Sequence, residues 1–121
     1  MKLSDHQILF TQDVARLIGF IHGSGDHSVT LGEAYRTPEQ AALNAKKGVG
    51  IKNSQHCKRL AVDINLLDNQ GRLLSGSDNY AIYGDYWESL DAHNRWGGFF
   101  VSKYGGKIVD GCHFERIEGV R

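Results

Sequence analysis

The segment LAVDINLL, residues 60–67, decides the fold of this 121-residue chain. Every second residue in it is apolar, which is the pattern of a β-strand with one face against a core. The apolar positions on that face are Leu60, Val62, Ile64 and Leu66. Asp63 falls on the opposite face, where burying a carboxylate is costly unless it is paired or bound to a metal. The segment therefore predicts a central strand that presents one acidic side chain.

Three helices are predicted from capping residues and from apolar side chains at helical spacing. Ser4 and Gln7 have the spacing of a capping box and predict the start of the first helix. The second helix covers residues 37–47, which open with a threonine cap and a proline. The third covers residues 79–94, with Asp78 as its candidate cap.

Short strands are predicted on either side of the central one, at residues 29–36 and 112–117. The Asp-Asn-Gln-Gly run at residues 68–71 is typical of a hairpin turn. Helices mixed with short strands, without a regular βαβ alternation, favour an α+β fold. We expect a single domain over residues 1–121, with a short antiparallel sheet flanked by helices.

Charge and hydropathy exclude two classes of protein. The 14 Lys and Arg residues balance 14 Asp and Glu residues, so the chain lacks the basic excess of a nucleic-acid-binding protein. No segment is long and apolar enough to insert into a membrane, and residues 1–7 lack the apolar run of a signal peptide. We expect synthesis in the cytoplasm without a signal peptide and action on a target reached after release.

Two histidines can join Asp63 around one divalent metal ion. Two imidazoles, one carboxylate and a water in the fourth position make a catalytic zinc site. His56 lies seven residues before Asp63, which is the wrong parity for one strand face, so it must come from the preceding loop. His113 begins the last predicted strand. Asp110, three residues earlier, offers a free carboxylate for proton transfer.

The two cysteines, Cys57 and Cys112, are each adjacent to one of these histidines. Two cysteines do not make a disulfide framework, and we expect buried free thiols. A disulfide formed after export is the alternative. A structural zinc site built from both His-Cys pairs is disfavoured, because such sites space their paired ligands by two to four residues.

Four motifs, in this order, resemble the zinc peptidases that cut bacterial cell-wall peptides. They are Tyr35-Arg36-Thr37, Ser54-x-His56-x-x-x-x-Ala61-x-Asp63, Trp96-Gly97-Gly98 and Asp110-x-x-His113-Phe114-Glu115. The group includes D-alanyl-D-alanine carboxypeptidases, vancomycin-resistance D-alanyl-D-alanine dipeptidases and phage L-alanyl-D-glutamate endolysins. All have the hedgehog-like α+β fold. The resemblance covers most of the chain beyond the first helix.

The resemblance implies one zinc ion, whose ligands would be His56, Asp63 and His113. It implies that Asp110 is the general base, which takes a proton from the attacking water and returns it to the leaving amine. Arg36 and Ser54 would be substrate-binding residues, with Arg36 donating to a carboxylate or to the developing oxyanion. Glu115 and Trp96 would lie behind the ligands or in the pocket wall.

Two positions depart from the common pattern of the group. Arg59 stands where glycine is frequent, so we expect a bulky charge that alters the pocket. Asp110 stands where glutamate is frequent, and the shorter base is typical of the phage endopeptidases. We therefore expect a monomeric L-alanyl-D-glutamate endopeptidase of the endolysin type, acting on the stem peptide of peptidoglycan. The alternatives are a D-alanyl-D-alanine carboxypeptidase or dipeptidase, and a non-catalytic, metal-stabilised module that binds the cell wall.

Overall fold

The computed structural model describes residues 1–48, 50–51, 53–100 and 110–121. The helices are α1 (Leu3–Gly23), α2 (Pro38–Lys46) and α3 (Ala81–Leu90). The strands are β1 (Ser28–Leu31), β2 (Ala61–Leu67), β3 (Leu73–Leu74), β4 (Asn94–Trp96) and β5 (His113–Arg116). Short 3-10 turns cover Gln55–Lys58, Ser77–Tyr80 and Gly97–Phe99. The predicted α+β fold is confirmed.

Strand β2 is the centre of the sheet, as its alternating sequence predicts. The strands are ordered β1-β2-β5-β4, β3 also pairs with β2, and every pairing is antiparallel. One face of the sheet packs against α1 and α3. The core between them consists chiefly of Phe10, Leu17, Ile21, Leu60, Val62, Ile64, Leu66, Tyr83, Trp87, Trp96 and Phe114. Asp63 lies on the opposite face of β2, so the candidate site is built on the side of the sheet that these helices leave open.

Strand β1 ends at Leu31, earlier than the predicted residue 36, because its pairing with β2 is interrupted. Gly32 N donates to Asp63 O at 2.7 Å, and Asp63 N donates to Glu33 O at 2.8 Å. Two residues of one strand therefore oppose one residue of the other, as in a β-bulge. A Cβ on Gly32 would lie 3.1 Å from Asp63 Cβ, so glycine suits this close approach. The regular pairing of β1 with β2 therefore ends before the segment that carries Arg36.

The predicted start of α1 is wrong in detail. The helix is capped by Lys2, whose backbone N–H donates to Asp5 Oδ2 at 2.8 Å, and Ser4 lies inside the first turn. Gln7 instead donates from Nε2 to the Lys58 carbonyl at 2.8 Å, which ties α1 to the turn that carries His56. The start of α2 is confirmed, since the Thr37 hydroxyl accepts from the backbone N–H of Gln40.

The third helix is shorter than predicted and is followed by a strand that the sequence did not reveal. Helix α3 is preceded by a 3-10 turn, and Asp78 does not cap it. Asp91 ends the helix in an extended conformation, and its Oδ1 accepts from His93 N at 2.8 Å. This Asx-type turn competes with helix continuation and lets β4 begin at Asn94. Of the described helices, none is long and apolar enough to cross a bilayer.

Candidate metal centre

His56, Asp63 and His113 converge on the open side of the sheet. Asp63 and His113 are directly paired across β2 and β5, and 3.2 Å separates Asp63 Oδ1 from His113 Nδ1. His56 Nε2 lies 3.3 Å from the same oxygen. One ligand atom from each residue lies within 4.8 Å of the other two. Among the described residues, these three side chains form the one group of His, Cys, Asp or Glu that is close enough together to hold a metal ion.

His56 reaches the site from the loop before β2, as strand parity predicts. The 3-10 turn Gln55–Lys58 carries it, and the Ser54 hydroxyl caps this turn by accepting from His56 N at 3.2 Å. The ring is 2% exposed, and its Nδ1 lies 2.9 Å from the Ala34 carbonyl. A carbonyl at Nδ1 selects the tautomer that leaves Nε2 free to bind a metal. Ser54 is therefore next to a ligand, and it also lines the cleft.

His113 is oriented by a buried carboxylate. Its Nε2 lies 2.7 Å from Glu115 Oε1, and the other Glu115 oxygen accepts from Arg95 Nε and Nη2 at 3.0 and 2.7 Å. The Glu115 side chain is 5% exposed. A histidine whose second nitrogen is bonded to a carboxylate is the usual arrangement behind a metal ligand, because it directs the first nitrogen at the ion. Glu115 thus lies directly behind His113.

The carboxylates and the histidines of the cluster stabilise each other's charged forms. Burial opposes ionisation of Asp63, but hydrogen bonds from His113 and His56 hold the pKa of its carboxyl well below the usual range. Burial also opposes protonation of His113, yet its bonds to Asp63 and Glu115 raise its pKa to about 9. Because a histidine binds a metal through a deprotonated ring nitrogen, metal binding at this cluster would be coupled to release of a proton from His113.

Asp110 is exposed beside the cluster, and its backbone is tightly held. Its carbonyl accepts from His113 N at 3.1 Å, and its N–H donates to Gly97 O at 3.2 Å. A Cβ on Gly97 would lie 2.1 Å from Asp110 O, so only glycine fits there. Trp96 lies behind this contact and donates from Nε1 to Gly111 O at 2.7 Å. The Trp-Gly-Gly motif thus positions the segment that carries Asp110.

A backbone hydrogen bond to His56 places Arg36 next to the cluster. Its backbone N–H donates to the His56 carbonyl at 3.2 Å. Its guanidinium donates to the Glu33 carboxylate from Nε at 2.8 Å and also from Nη2. Glu33 therefore holds the guanidinium in place at the cleft that both His56 and Arg36 line.

Arg59 does not enter this cleft, so the expectation that it alters the pocket is wrong for the described residues. It takes the left-handed conformation, with φ of 57°, which explains why glycine suits the position. Its guanidinium lies over the Tyr35 ring, 4.0 Å from the centroid. This cation–π contact holds the charge of Arg59 at Tyr35, and Arg59 is not among the residues that line the cleft.

Both cysteines are free thiols, as expected, and both are half-buried. Burial, with the charges of Asp63 and Asp110 nearby, raises the pKa of Cys112 to about 12. Among the described residues, the group that could hold a metal contains His113 but not the adjacent Cys112, whose side chain packs against the hydrophobic core.

A cleft of about 590 Å³ opens over the cluster. All six residues predicted for the site line it, namely Arg36, Ser54, His56, Asp63, Asp110 and His113. Arg95 and Phe100 line it too, and sequence reasoning did not identify either. Arg95 belongs to β4, the strand that was not predicted, so no sequence signal placed it beside Glu115. A depression of similar volume lies among Met1, Leu3, His6, His93 and Glu118, and it contains none of the three residues of the cluster.

Comparison with known proteins gives the fold. No protein-family model matches the sequence, and no curated protein matches it either. Among solved structures, the chain is similar to the Serratia marcescens L-Ala D-Glu endopeptidase ChiX, with a TM-score of 0.65 and 20% identity over 88% of this chain and 79% of that one. It is also similar to the LD-carboxypeptidase LdcB, with a TM-score of 0.56 and 13% identity, spanning 90% of this chain and 64% of that one. The chain therefore shares its fold with an endopeptidase and a carboxypeptidase, and it presents a histidine–aspartate–histidine cluster on that fold.

Proposed function

We propose that the chain is a zinc peptidase that hydrolyses a peptide bond in the stem peptides of bacterial peptidoglycan, with L-alanyl-D-glutamate as the bond cut. The observation that carries this proposal is the convergence of His56, Asp63 and His113 at the base of a cleft that also contains Asp110 and Arg36. The fold shared with an L-Ala D-Glu endopeptidase supports the choice of bond. The endolysin type follows from the aspartate base that the sequence resemblance implies.

The donor set fits zinc. With bonds of 2.0–2.2 Å, ligand atoms of a tetrahedral zinc site lie roughly 3.3–3.6 Å apart. The Asp63 oxygen lies 3.3 Å from His56 Nε2 and 3.2 Å from His113 Nδ1. Three protein ligands leave a fourth position for water or substrate, as in catalytic sites. Zinc bound there supplies a Lewis acid that polarises the scissile carbonyl and makes water a better nucleophile at neutral pH.

The side chains of this chain have distinct roles in the proposed reaction. Asp110 takes a proton from the attacking water and then gives it to the leaving amine. Arg36 donates hydrogen bonds to a substrate carboxylate or to the oxygen on which negative charge develops. Ser54 keeps His56 in position through the cap of its turn. Glu115 keeps the ring of His113 aimed at the ion.

A carboxypeptidase acting at the end of the stem peptide is the second candidate. The likeness to an LD-carboxypeptidase favours it, since the same fold supports cleavage at a terminal residue. Arg36 would suit this reaction too, because its guanidinium can bind the terminal carboxylate of a carboxypeptidase substrate. The two candidates release different fragments, so they are separated by the products.

The deciding experiment is digestion of purified peptidoglycan by the zinc-loaded protein, with fragments identified by mass. We expect new amino termini at D-glutamate, and we expect a chelator to abolish them and zinc to restore them. Release of single D-amino acids would replace the endopeptidase assignment by the carboxypeptidase one. Zinc binding without any fragment would show a non-catalytic module.

A further inference from the structure

Arg95 is a second cation at the cleft and has no place in the reaction described above. It lies on β4 opposite Glu115 of β5, on the face of the sheet that carries Asp63 and His113. Its side chain is 44% exposed, whereas the Glu115 carboxylate that it contacts is 5% exposed. The charged end of Arg95 is thus anchored on a buried group and open to the cleft.

Within the described part of the chain, the guanidinium of Arg95 has N–H groups that make no hydrogen bond to the protein. Its Nε and Nη2 donate to a single oxygen of Glu115, at 3.0 and 2.7 Å. Among the described residues, its Nη1 has no hydrogen-bond partner. The Phe100 ring lies 5.0 Å from Arg95 Cζ and packs against the guanidinium plane. An arginine held on one edge and one face is preorganised to bind a carboxylate with its free edge.

Arg95 and Arg36 stand on different sides of the metal ligands. Arg36 follows β1, which borders β2 on one side, and Arg95 belongs to β4, which lies beyond β5 on the other. The pair Asp63 and His113 lies on β2 and β5, between them. A peptide bound across the ligands therefore meets one guanidinium on each side of its reacting bond.

We propose that Arg95 binds the free α-carboxylate of the glutamyl residue in the substrate and so selects acidic stem peptides over amidated ones. This inference rests on the proposed function, because it takes the stem peptide as the substrate. Neutralising the substrate carboxylate as an amide removes the charge-assisted hydrogen bonds to Arg95 and weakens binding by about tenfold or more.

The test is a binding cycle with two ligands and three proteins. The ligands are L-Ala-γ-D-Glu-L-Lys and the same tripeptide with the glutamyl α-carboxyl converted to an amide. The proteins are the wild type, Arg95→Gln and Arg72→Gln, all metal-free so that binding is measured by calorimetry without turnover. Arg72 is an exposed arginine paired with Asp68, so its substitution removes the same charge away from the cleft.

We expect the wild type and Arg72→Gln to prefer the acid over the amide by about tenfold, and Arg95→Gln to bind both ligands equally. Equal binding of acid and amide by the wild type would overturn the proposal. So would an equal loss for both ligands in Arg95→Gln, since Arg95 would then act only through Glu115. If Arg95→Gln does not fold, Arg95→Lys replaces it in the cycle. Lysine keeps the charge but cannot donate two parallel hydrogen bonds to one carboxylate, so this variant must show a smaller preference for the acid over the amide. The binding cycle tests the role of Arg95 separately from the proposed function. If the proposed function is wrong, the zinc-loaded protein will cleave no peptidoglycan, whatever the binding cycle shows.

Discussion

Asp63 and His113 are cross-strand neighbours on β2 and β5, with 3.2 Å between the carboxylate oxygen and the imidazole Nδ1, although 50 residues separate them in sequence. His56 approaches the same oxygen from the preceding 3-10 turn. The sheet therefore fixes two of the three side chains of the cluster, and a capped loop supplies the third. A site on paired strands needs little rearrangement when it takes up an ion.

Zinc should stabilise the folded protein through this cluster. At a free zinc concentration one hundred times Kd, linkage adds about 2.7 kcal/mol to the free energy of unfolding, which raises Tm by about 10 °C for a chain of this length. Replacing His113 by Gln should abolish the shift. Thermal unfolding with and without zinc measures it, and His22→Gln, at an exposed position of α1, is the control. An undiminished zinc-dependent shift in the His113 variant would show that the ion binds elsewhere.

Asp110→Asn should remove proton transfer and leave metal binding unchanged. The amide has the size of the carboxylate but cannot act as a base, so we expect a loss of about 10²–10⁴ in kcat. Initial rates on peptidoglycan fragments measure activity, and a zinc titration measures affinity. Asp26→Asn, in the exposed turn after α1, is the matched control. Wild-type turnover in Asp110→Asn would exclude Asp110 as the base.

Glu115→Gln should weaken zinc binding without unfolding the chain. The substitution replaces the buried carboxylate behind His113 Nε2, and loss of such a partner lowers metal affinity about 10–100-fold. A competition titration with a zinc indicator measures the change. Glu118→Gln removes an exposed carboxylate that pairs with Lys58, and it should leave the affinity as in the wild type. Equal affinities in all three proteins would mean that Glu115 does not orient the ligand.

Gly97→Ala should damage both stability and activity. The added Cβ would lie 2.1 Å from the Asp110 carbonyl, and this backbone cannot shift without moving His113 as well. Overpacking of this kind costs about 1–3 kcal/mol. Denaturant unfolding measures the loss. Gly19→Ala places a Cβ in open space on α1 and should instead stabilise by about 0.5–1 kcal/mol. A Gly97→Ala variant as stable as the wild type would contradict the contact.

His6 should make stability fall as the pH drops below neutrality. Its Nδ1 accepts from Nε of the fully buried Arg116 at 3.0 Å, so the folded state needs the neutral ring. Burial, followed by the charges of Arg116 and His93, lowers the pKa of His6 from 6.5. The unfolded chain therefore takes up the proton first. The contribution of His6 is complete above pH 6.5 and is lost progressively below it.

The free energy of unfolding of the metal-free protein, measured between pH 7 and pH 5, tests this dependence. His6→Asn keeps an acceptor for Arg116 and cannot titrate, so its pH dependence should be flatter than that of the wild type. His22→Asn on the same helix should keep the wild-type slope. The contribution of His113 to the free energy of unfolding has the opposite pH dependence. The pKa of His113 is raised to about 9, so its contribution is lost as the pH rises through that value. Identical slopes for His6→Asn and the wild type would exclude His6 as the source.

The sequence by itself determined the elements whose signals are local. The alternation in residues 60–67 predicted β2 and the outward direction of Asp63, and Thr37 with Pro38 predicted α2. Strand parity also placed His56 on a loop before β2. These features depend on side-chain period and capping, which act over a few residues and are therefore legible in sequence.

Only the tertiary structure decided what strand pairing and the bulge bring together. The three-residue strand β4 has no periodic signal, so the contact of Arg95 with Glu115 was invisible in sequence. The bulge at Gly32 and Glu33 depends on backbone hydrogen bonds to Asp63, about thirty residues away in the sequence. Gln7 does not take part in the cap of α1, because its side chain donates instead to the carbonyl of the distant Lys58. Contacts between distant segments carry no local pattern, and they set which donors face the cleft.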